Sequence, residues 1–264
     1  MCSLGGRVQR NRITKIMKTA LITGGARGIG LATAHIFAEN GYQVVLLDRD
    51  AQALDAAALD LPAAEILVFD VSNPQASGQI AQEIQTRLGR LDCLVNNAGV
   101  ADFGPIEDCD PAIWRKVMDT NLDGMFYLSQ ALTPLLRDTR GSIVNIASIS
   151  GLRASTLRVA YGTSKAAVMQ LTKQQAIELG EYGIRANCVA PGPVRTKLAM
   201  AVHTPEIIDA YHDAIPLNRY GNEREIGEVI FFLCSEKASF VTGQVVAADG
   251  GFEATGVGLP ALRV

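Results

Sequence analysis

Tyr161 and Lys165 stand four positions apart in the run YGTSK, a spacing that puts both side chains on one face of a helix. A phenol beside an ammonium can move a proton. A free tyrosine, with a pKa of about 10, is a poor base at neutral pH, but a nearby positive charge stabilises the phenolate and lowers that value. Ser148 lies 13 positions upstream of Tyr161, at the end of an apolar run that reads as a strand. In an open α/β sheet, functional groups gather at the carboxyl ends of strands. The competing reading is a surface tyrosine with a lysine stem lying along it, and Tyr220 with Arg224 forms a comparable pair elsewhere in the chain.

A second cluster lies near the start of the chain. In TGGARGIG, the glycines are Gly24, Gly28 and Gly30, placed between a predicted strand and a predicted helix. Such a loop lets backbone N–H groups approach a pyrophosphate, with the helix N-terminus adding partial positive charge. The G-x-G-x-x-G fingerprint is not met, because Thr33 occupies the third glycine position. A glycine-rich turn without a ligand is the bland alternative. Asp48, 18 positions after Gly30 and at the end of the next apolar run, favours the dinucleotide, since a carboxylate there can accept both hydroxyls of an adenosine ribose. Hydride transfer between a nicotinamide and a carbonyl carbon leaves charge on oxygen, and that step needs the proton donor described above.

The elements that must hold these groups alternate. TALITG, YQVVLLD, EILVFD, DCLVNNAG, GSIVNIAS, IRANCVAPG and GQVVAADGG read as strands. Helical patterns fall at GIGLATAHIFAENG and near 50–59, 73–88, 111–136, 160–180 and 222–235. Near-continuous apolar strands separated by helices predict a doubly wound parallel sheet of about seven strands with helices on both faces, the Rossmann type. With no linker or repeat, residues 17–264 read as a single domain. The segment from about 193 to 221, with Pro193, Pro205 and Pro216, is the least regular interior part and reads as a substrate lid.

The bulk properties exclude several classes. A formal charge of −3 gives no general attraction for nucleic acid or an anionic membrane surface. No apolar stretch approaches the roughly 18 residues of a membrane span. The five cysteines are scattered and contain no C-x-x-C, which argues against a disulfide framework or zinc and suits a reducing compartment. His35, His203 and His212 have no ligand-like spacing, so no metal is expected. His35 reads as packing or surface, His203 and His212 could touch substrate from the lid, and Trp114 reads as core or interface. Residues 1–16 carry Arg7, Arg10, Arg12 and Lys15 with no acid and no apolar h-region. They read as a disordered leader rather than a secretory signal, with an organelle-targeting segment as the alternative. The expectation is a soluble, cytoplasmic protein.

From Lys18 to Gly251 the chain resembles the short-chain dehydrogenase/reductase family, through motifs in the family's order. These are T-G-x-x-x-G-x-G at Thr23–Gly30, NNAG at Asn96–Gly99, Asn121, Ser148, Y-x-x-x-K at Tyr161–Lys165, and PG at Pro191–Gly192. The resemblance implies Tyr161 as acid/base, Lys165 as its tuner and anchor of the nicotinamide ribose, Ser148 on the substrate oxygen, and Asn121 holding a water in a proton relay. It places Gly24, Arg27, Gly28, Ile29 and Gly30 at the pyrophosphate, and Asp48 and Arg49 at the adenosine ribose. Asp70 and Val71 fall at the adenine edge, and Asn97, Ala98 and Gly99 beside the ribose backbone. Pro191, Gly192, Val194 and Thr196 fall at the nicotinamide carboxamide.

The expected activity is NAD(H)-dependent interconversion of a secondary alcohol and a ketone, with a polyol, sugar or cyclic alcohol favoured. An NADPH-type 3-oxoacyl-thioester reductase is the alternative, although it would normally carry a base where Asp48 stands. A non-catalytic cofactor-binding regulator would be expected to have lost one of the four catalytic residues. NADP(H) use is disfavoured by Asp48; the counter-arguments are Arg49, a base that could embrace a phosphate, and Arg27, at a position where NADP-preferring relatives often place a base, and both could soften the acid's effect by pairing with it. Arg49 reads as a flanking or adenine-stacking residue. The resemblance also implies a homotetramer, formed partly through the helices at 111–136 and 160–180.

Overall fold

The computed structural model describes residues 17–256. The leader at 1–16 and the tail from 257 onward lie outside the described residues. Seven strands form one parallel sheet: β1 (Thr19–Thr23), β2 (Gln43–Asp48), β3 (Glu65–Val68), β4 (Cys93–Asn96), β5 (Ser142–Ile146), β6 (Arg185–Pro191) and β7 (Val245–Ala248). Their order is β3-β2-β1-β4-β5-β6-β7. The chain winds outward from β1 to β3, then returns to lay β4 against the other side of β1. The crevice between the carboxyl ends of β1 and β4 is therefore the switch point at which open sheets of this kind bind ligands.

Ten α-helical segments connect the strands among the described residues: α1 (Gly28–Glu39), α2 (Ala51–Asp60), α3 (Pro74–Arg87), α4 (Pro111–Met118), α5 (Gly124–Thr139), α6 (Ile149–Leu152), α7 (Val159–Gly180), α8 (Lys197–Met200), α9 (Pro205–Ala214) and α10 (Glu223–Cys234). Alternation along the strands feeds two cores. Ala20, Ile22, Leu46 and Val144 face Phe37 of α1, Leu54 of α2 and Ile230 of α10. Leu21, Val45, Leu94 and Ile143 face Ile80 of α3 and Leu128, Leu132 and Leu136 of α5. Every residue of β1, β4 and β5 is buried, as expected for strands covered on both faces. Several helix starts are set by side chains that satisfy otherwise orphaned N–H groups. Asp50, Asn73 and Asp110 cap α2, α3 and α4, and Asn222 forms a capping box with Glu225 at α10.

Two predicted segments differ from what forms. The helix expected over 111–136 runs from Pro111 to Thr139 but is interrupted at Asp119–Asp123 by a turn of π-helix. Such a turn closes i→i+5 hydrogen bonds and occurs mostly as a single bulge at functional positions. The segment from 193 to 221 is more ordered than its prolines suggested. Pro205 stands in the first turn of α9 behind the Thr204 cap, where a missing N–H costs nothing. Thr196 caps α8 in the same way.

Candidate active site

The glycine loop follows β1, and its geometry explains why these positions are glycine. Gly28 has φ +57, and a Cβ built on it meets nothing within 4 Å, so the loop leaves open space on the side where a ligand's phosphates would approach. At Gly30 a Cβ would come 2.1 Å from the Gly24 carbonyl oxygen, so α1 can start this close to the loop only without a side chain. The loop is locked from the β4 side. Thr23 Oγ1 accepts the backbone N–H groups of Asn97 and Ala98 at 2.9 Å each. Asn97 Nδ2 donates to the carbonyls of Thr23 and Gly24 at 3.0 and 3.2 Å. The NNAG turn therefore braces the glycine cradle, and the residues present fit a pyrophosphate lying across it.

Asp48 ends β2, and its Oδ1 accepts the N–H of Asp50 at 3.1 Å. Arg27 and Arg49, expected to pair with Asp48 if they did anything to it, pair elsewhere. Arg27 holds Asp50, and Arg49 reaches Asp70 at 3.5 Å. Asp50 is drawn below the usual carboxylate range by the Ala53 N–H and by Arg27. Burial opposes ionisation of Asp70, but bonds from Ser72 and the charge of Arg49 together hold it low. Beside this group a cavity of about 380 Å³ is lined by Arg49, Ser72, Lys116 and Thr120, among others. Ile29 lies in the first turn of α1, and Val71 packs its carbonyl against Gly124 at the π turn.

The second half of the site hangs on β5, α6 and α7. Ser148 ends the β5 connection as the N-cap of α6, its Oγ accepting the Ser150 N–H at 3.1 Å. Tyr161 lies in the first turn of α7, and Lys165 follows one turn later, only 3% exposed. Lys165 Nζ donates to the Ile146 carbonyl at 2.7 Å and lies 5.7 Å from the Tyr161 ring centroid. Burial pulls its pKa down to about 8, against a smaller opposing influence from Cys188. Burial also raises the Tyr161 phenol above its ordinary value, and the interactions that oppose this come from Ser148 and Arg158. The groups that bear on the acidity of that phenol are thus Ser148 and Arg158 as well as its burial, with the Lys165 ammonium one helical turn away. With its pKa at about 8 the lysine keeps its positive charge at neutral pH and donates to a backbone carbonyl.

Asn121 sits in the π turn, fully buried. Its Oδ1 accepts the Val100 N–H at 2.8 Å, while Nδ2 donates to the Val100 carbonyl at 2.9 Å and to Ser164 Oγ at 3.1 Å. Ser164 in turn donates to the Tyr161 carbonyl at 2.7 Å. A Cβ on Gly99 would lie 3.2 Å from Asn121 Oδ1 and 3.5 Å from Lys165 Nζ, so the β4 turn, the π turn and α7 meet at one point. Pro191 closes β6, Gly192 donates to the Ala248 carbonyl at 3.1 Å, Val194 bridges to Gly221, and Thr196 caps α8.

The structure brings into play residues that the motifs did not single out. Ser164, inside YGTSK, links Asn121 to the backbone of Tyr161, and its place three residues after the tyrosine was a readable signal. Asn96 and Asn145 form a buried line beneath the site. Asn96 Nδ2 donates to Asn145 Oδ1 at 2.9 Å, and Asn145 Nδ2 donates to Thr172 and Gln175 on α7 at 2.9 and 2.7 Å. Asn96 opens the NNAG motif, whereas nothing in the spacing around Asn145 distinguishes it from an ordinary core polar group. In the segment from 193 to 221, His203 Nδ1 lies 3.0 Å from the Tyr220 hydroxyl and its ring stacks on Tyr211 at 5.5 Å. His212 packs on Tyr220, with ring centroids 5.5 Å apart. His35 and Trp114 are half-buried on α1 and α4. Tyr220 and Arg224 do not form a pair like Tyr161 and Lys165, since Arg224 binds Glu39 at 2.6 Å on the surface of α10.

Comparison with known proteins gives three kinds of match. A family profile described as enoyl-(acyl carrier protein) reductase matches residues 24–253. Galactitol 2-dehydrogenase (L-tagatose-forming) of Cereibacter sphaeroides is 39% identical over 239 residues, 88% of this chain and 94% of that protein. The 3-oxoacyl-[acyl-carrier-protein] reductase of Thermotoga maritima is 36% identical, with 89% and 97% of the two chains covered. Among solved structures, a gluconate 5-dehydrogenase from Burkholderia cenocepacia in complex with NADP and tartrate superposes with a TM-score of 0.87 at 35% identity, covering 90% and 96%.

Proposed function

The chain belongs to the short-chain dehydrogenase/reductase family and is an oxidoreductase acting on CH–OH groups, and from that premise we propose that it interconverts a secondary alcohol and a ketone with NAD(H). The observation that carries this reading is the convergence of Ser148, Tyr161, Lys165 and Asn121 beside the glycine cradle. A bound nicotinamide would take hydride from the alcohol carbon, or return it to the ketone. The chain's own groups handle the proton and the orientation. Tyr161 accepts the alcohol proton or donates to the carbonyl oxygen, and Ser148 shares that oxygen. Lys165, fixed by Ile146, holds its ammonium toward the nicotinamide ribose. Asn121 spends both donors and one lone pair on Val100 and Ser164, which leaves one Oδ1 lone pair for a relay water.

NAD is favoured by Asp48, a carboxylate at the end of β2 that would repel a 2′-phosphate on a ribose bound there, and by the pairing of Arg27 and Arg49 with Asp50 and Asp70. A polyol, sugar or cyclic alcohol is favoured by the likeness to the galactitol enzyme. The likeness to the Thermotoga reductase supports the alternative, a 3-oxoacyl-thioester reductase. A panel of polyols, sugars, hydroxy acids and 3-oxoacyl thioesters, each assayed with both cofactors, decides between them. NAD-linked oxidation of an alcohol is the expected result, and turnover confined to 3-oxoacyl thioesters with NADPH would replace this reading with the alternative.

The proposal includes a single domain from residue 17, a cytoplasmic location, and a homotetramer. The scattered cysteines fit a reducing compartment, and among the described residues no helix is long and apolar enough to cross a membrane. Phe126 on α5 and Ile177 on α7 expose 45% and 77% of their surface, apolar area that a partner helix pair would cover. Light scattering at micromolar concentration is expected to return four chains per particle, and a monomer would contradict the assembly.

A further inference from the structure

Arg158 caps the start of α7, three residues before Tyr161. Its guanidinium carbon lies 4.4 Å from the ring centroid of Phe103 and 5.6 Å from that of Tyr161. Other arginines near the sheet ends have their donors engaged. Arg153 bonds the carbonyls of Phe252 and Thr255 at 2.7 and 3.0 Å, and Arg185 bonds those of Leu233 and Ser235 at 2.6 and 3.1 Å. Arg158 has no carboxylate or carbonyl partner among the described residues. A guanidinium carries five N–H donors, and here two aromatic rings hold it while those donors stay free. Its charge is felt at two groups, the Tyr161 phenol and the His203 ring of the lid, and it lowers the pKa of both. The guanidinium itself lies beside the ring that carries the reacting hydroxyl.

We propose that Arg158 recognises a carboxylate on the substrate, so that the alcohol is a hydroxy acid and the ketone the matching keto acid. The inference rests on the oxidoreductase reading above and narrows its substrate class. With its carbon 4.4 Å from the centroid of the Phe103 ring, the guanidinium keeps its N–H donors for a bidentate contact, the kind that suits a carboxylate. His203 is held toward its neutral form, first by burial and then by Arg158 itself, so its ring adds no second positive charge beside the guanidinium. The carboxylate is bound and not transformed. The hydride and proton still leave from the CH–OH group.

The test compares a hydroxycycloalkane carboxylate with its carboxamide and with the corresponding phosphate ester, all oxidised by the full chain with NAD. The parent is expected to favour the acid over the amide in kcat/KM by about 10- to 100-fold, the range of one charge-assisted contact. In Arg158→Leu that ratio is expected to collapse toward one, chiefly through KM for the acid. Arg158→Lys, which keeps the charge, should retain part of it. Equal turnover of acid and amide by the parent would overturn the inference, as would preference for the phosphate ester or an equal loss on both substrates in Arg158→Leu. The parent's acid-to-amide ratio needs no variant, so a leucine variant that fails to fold leaves the inference testable. Oxidation of uncharged alcohols without preference for the acid would defeat this inference alone. A chain that binds NADH but oxidises no alcohol would defeat the oxidoreductase reading and this inference with it.

Discussion

Tyr161→Phe is expected to lower turnover by about 100- to 10,000-fold, the range attributed to a positioned acid–base group, while NADH still binds. The substitution keeps the ring and its contact with Arg158, and removes only the hydroxyl that faces Ser148. The folding cost is that of one modest hydrogen bond, about 1 kcal/mol, so a large loss of rate can be read as lost chemistry. Steady-state assays alongside a fluorescence titration with NADH separate the two. Near-normal turnover in the variant would remove Tyr161 from the mechanism. The pH dependence carries the same assignment. Burial holds the phenol above its ordinary value, and alcohol oxidation needs the deprotonated form. Oxidation by the parent should therefore rise with pH through the alkaline range, and the variant's residual rate should lose that slope.

Asp48→Ala is expected to shift the NAD-to-NADP ratio of kcat/KM toward NADP by on the order of 100-fold. A 2′-phosphate would bring about two negative charges to within roughly 4 Å of a carboxylate, and at an effective dielectric of 20 each unit pair costs about 4 kcal/mol before screening. Asp48 is partly exposed, so most of that is discounted; about 3 kcal/mol remaining would give the stated factor. The gain is limited by the two arginines that could welcome the phosphate. Arg27 would have to leave Asp50, and Arg49 would have to leave Asp70. Parallel kinetics with both cofactors, in parent and variant, measure the shift. A parent that prefers NADP would show that Asp48 does not face the ribose.

The fold and most of the site were legible because they rest on local rules. Continuous apolar runs announced strands buried on two faces, and Gly28, Gly30, Asp48 and the YGTSK run carried spacings tied to one geometry each. What was not legible depends on partners far apart in the chain. No spacing rule says that Arg27 chooses Asp50 over Asp48, because both acids lie within reach of a flexible side chain. Lys165 was expected to act on Tyr161 from their shared helical face, yet the nearer acceptor is the Ile146 carbonyl, contributed by β5. No motif marks Arg158, because its contact with Phe103 joins residues 55 positions apart in the chain. The two lid helices were the exception, since the Thr204–Pro205 pair is a readable helix start that the density of prolines obscured.

The π turn at Asp119–Asp123 makes one quantity in this helix more fragile than its chemistry. A π turn holds one residue more than an α turn, and each residue added to a helix rotates everything after it by about 100°. The stripe that α4 presents to the interior and the stripe that α5 presents are thus out of phase, and both face inward only because of that extra residue. Many side chains along this stretch can change type without moving Asn121. Losing the codon for Asp119 or Thr120 is expected to heal the helix into regular form and swing Asn121 away from Val100. In inheritance, then, this part of the molecule is guarded by its length, and a frame-preserving deletion is a graver event there than most substitutions.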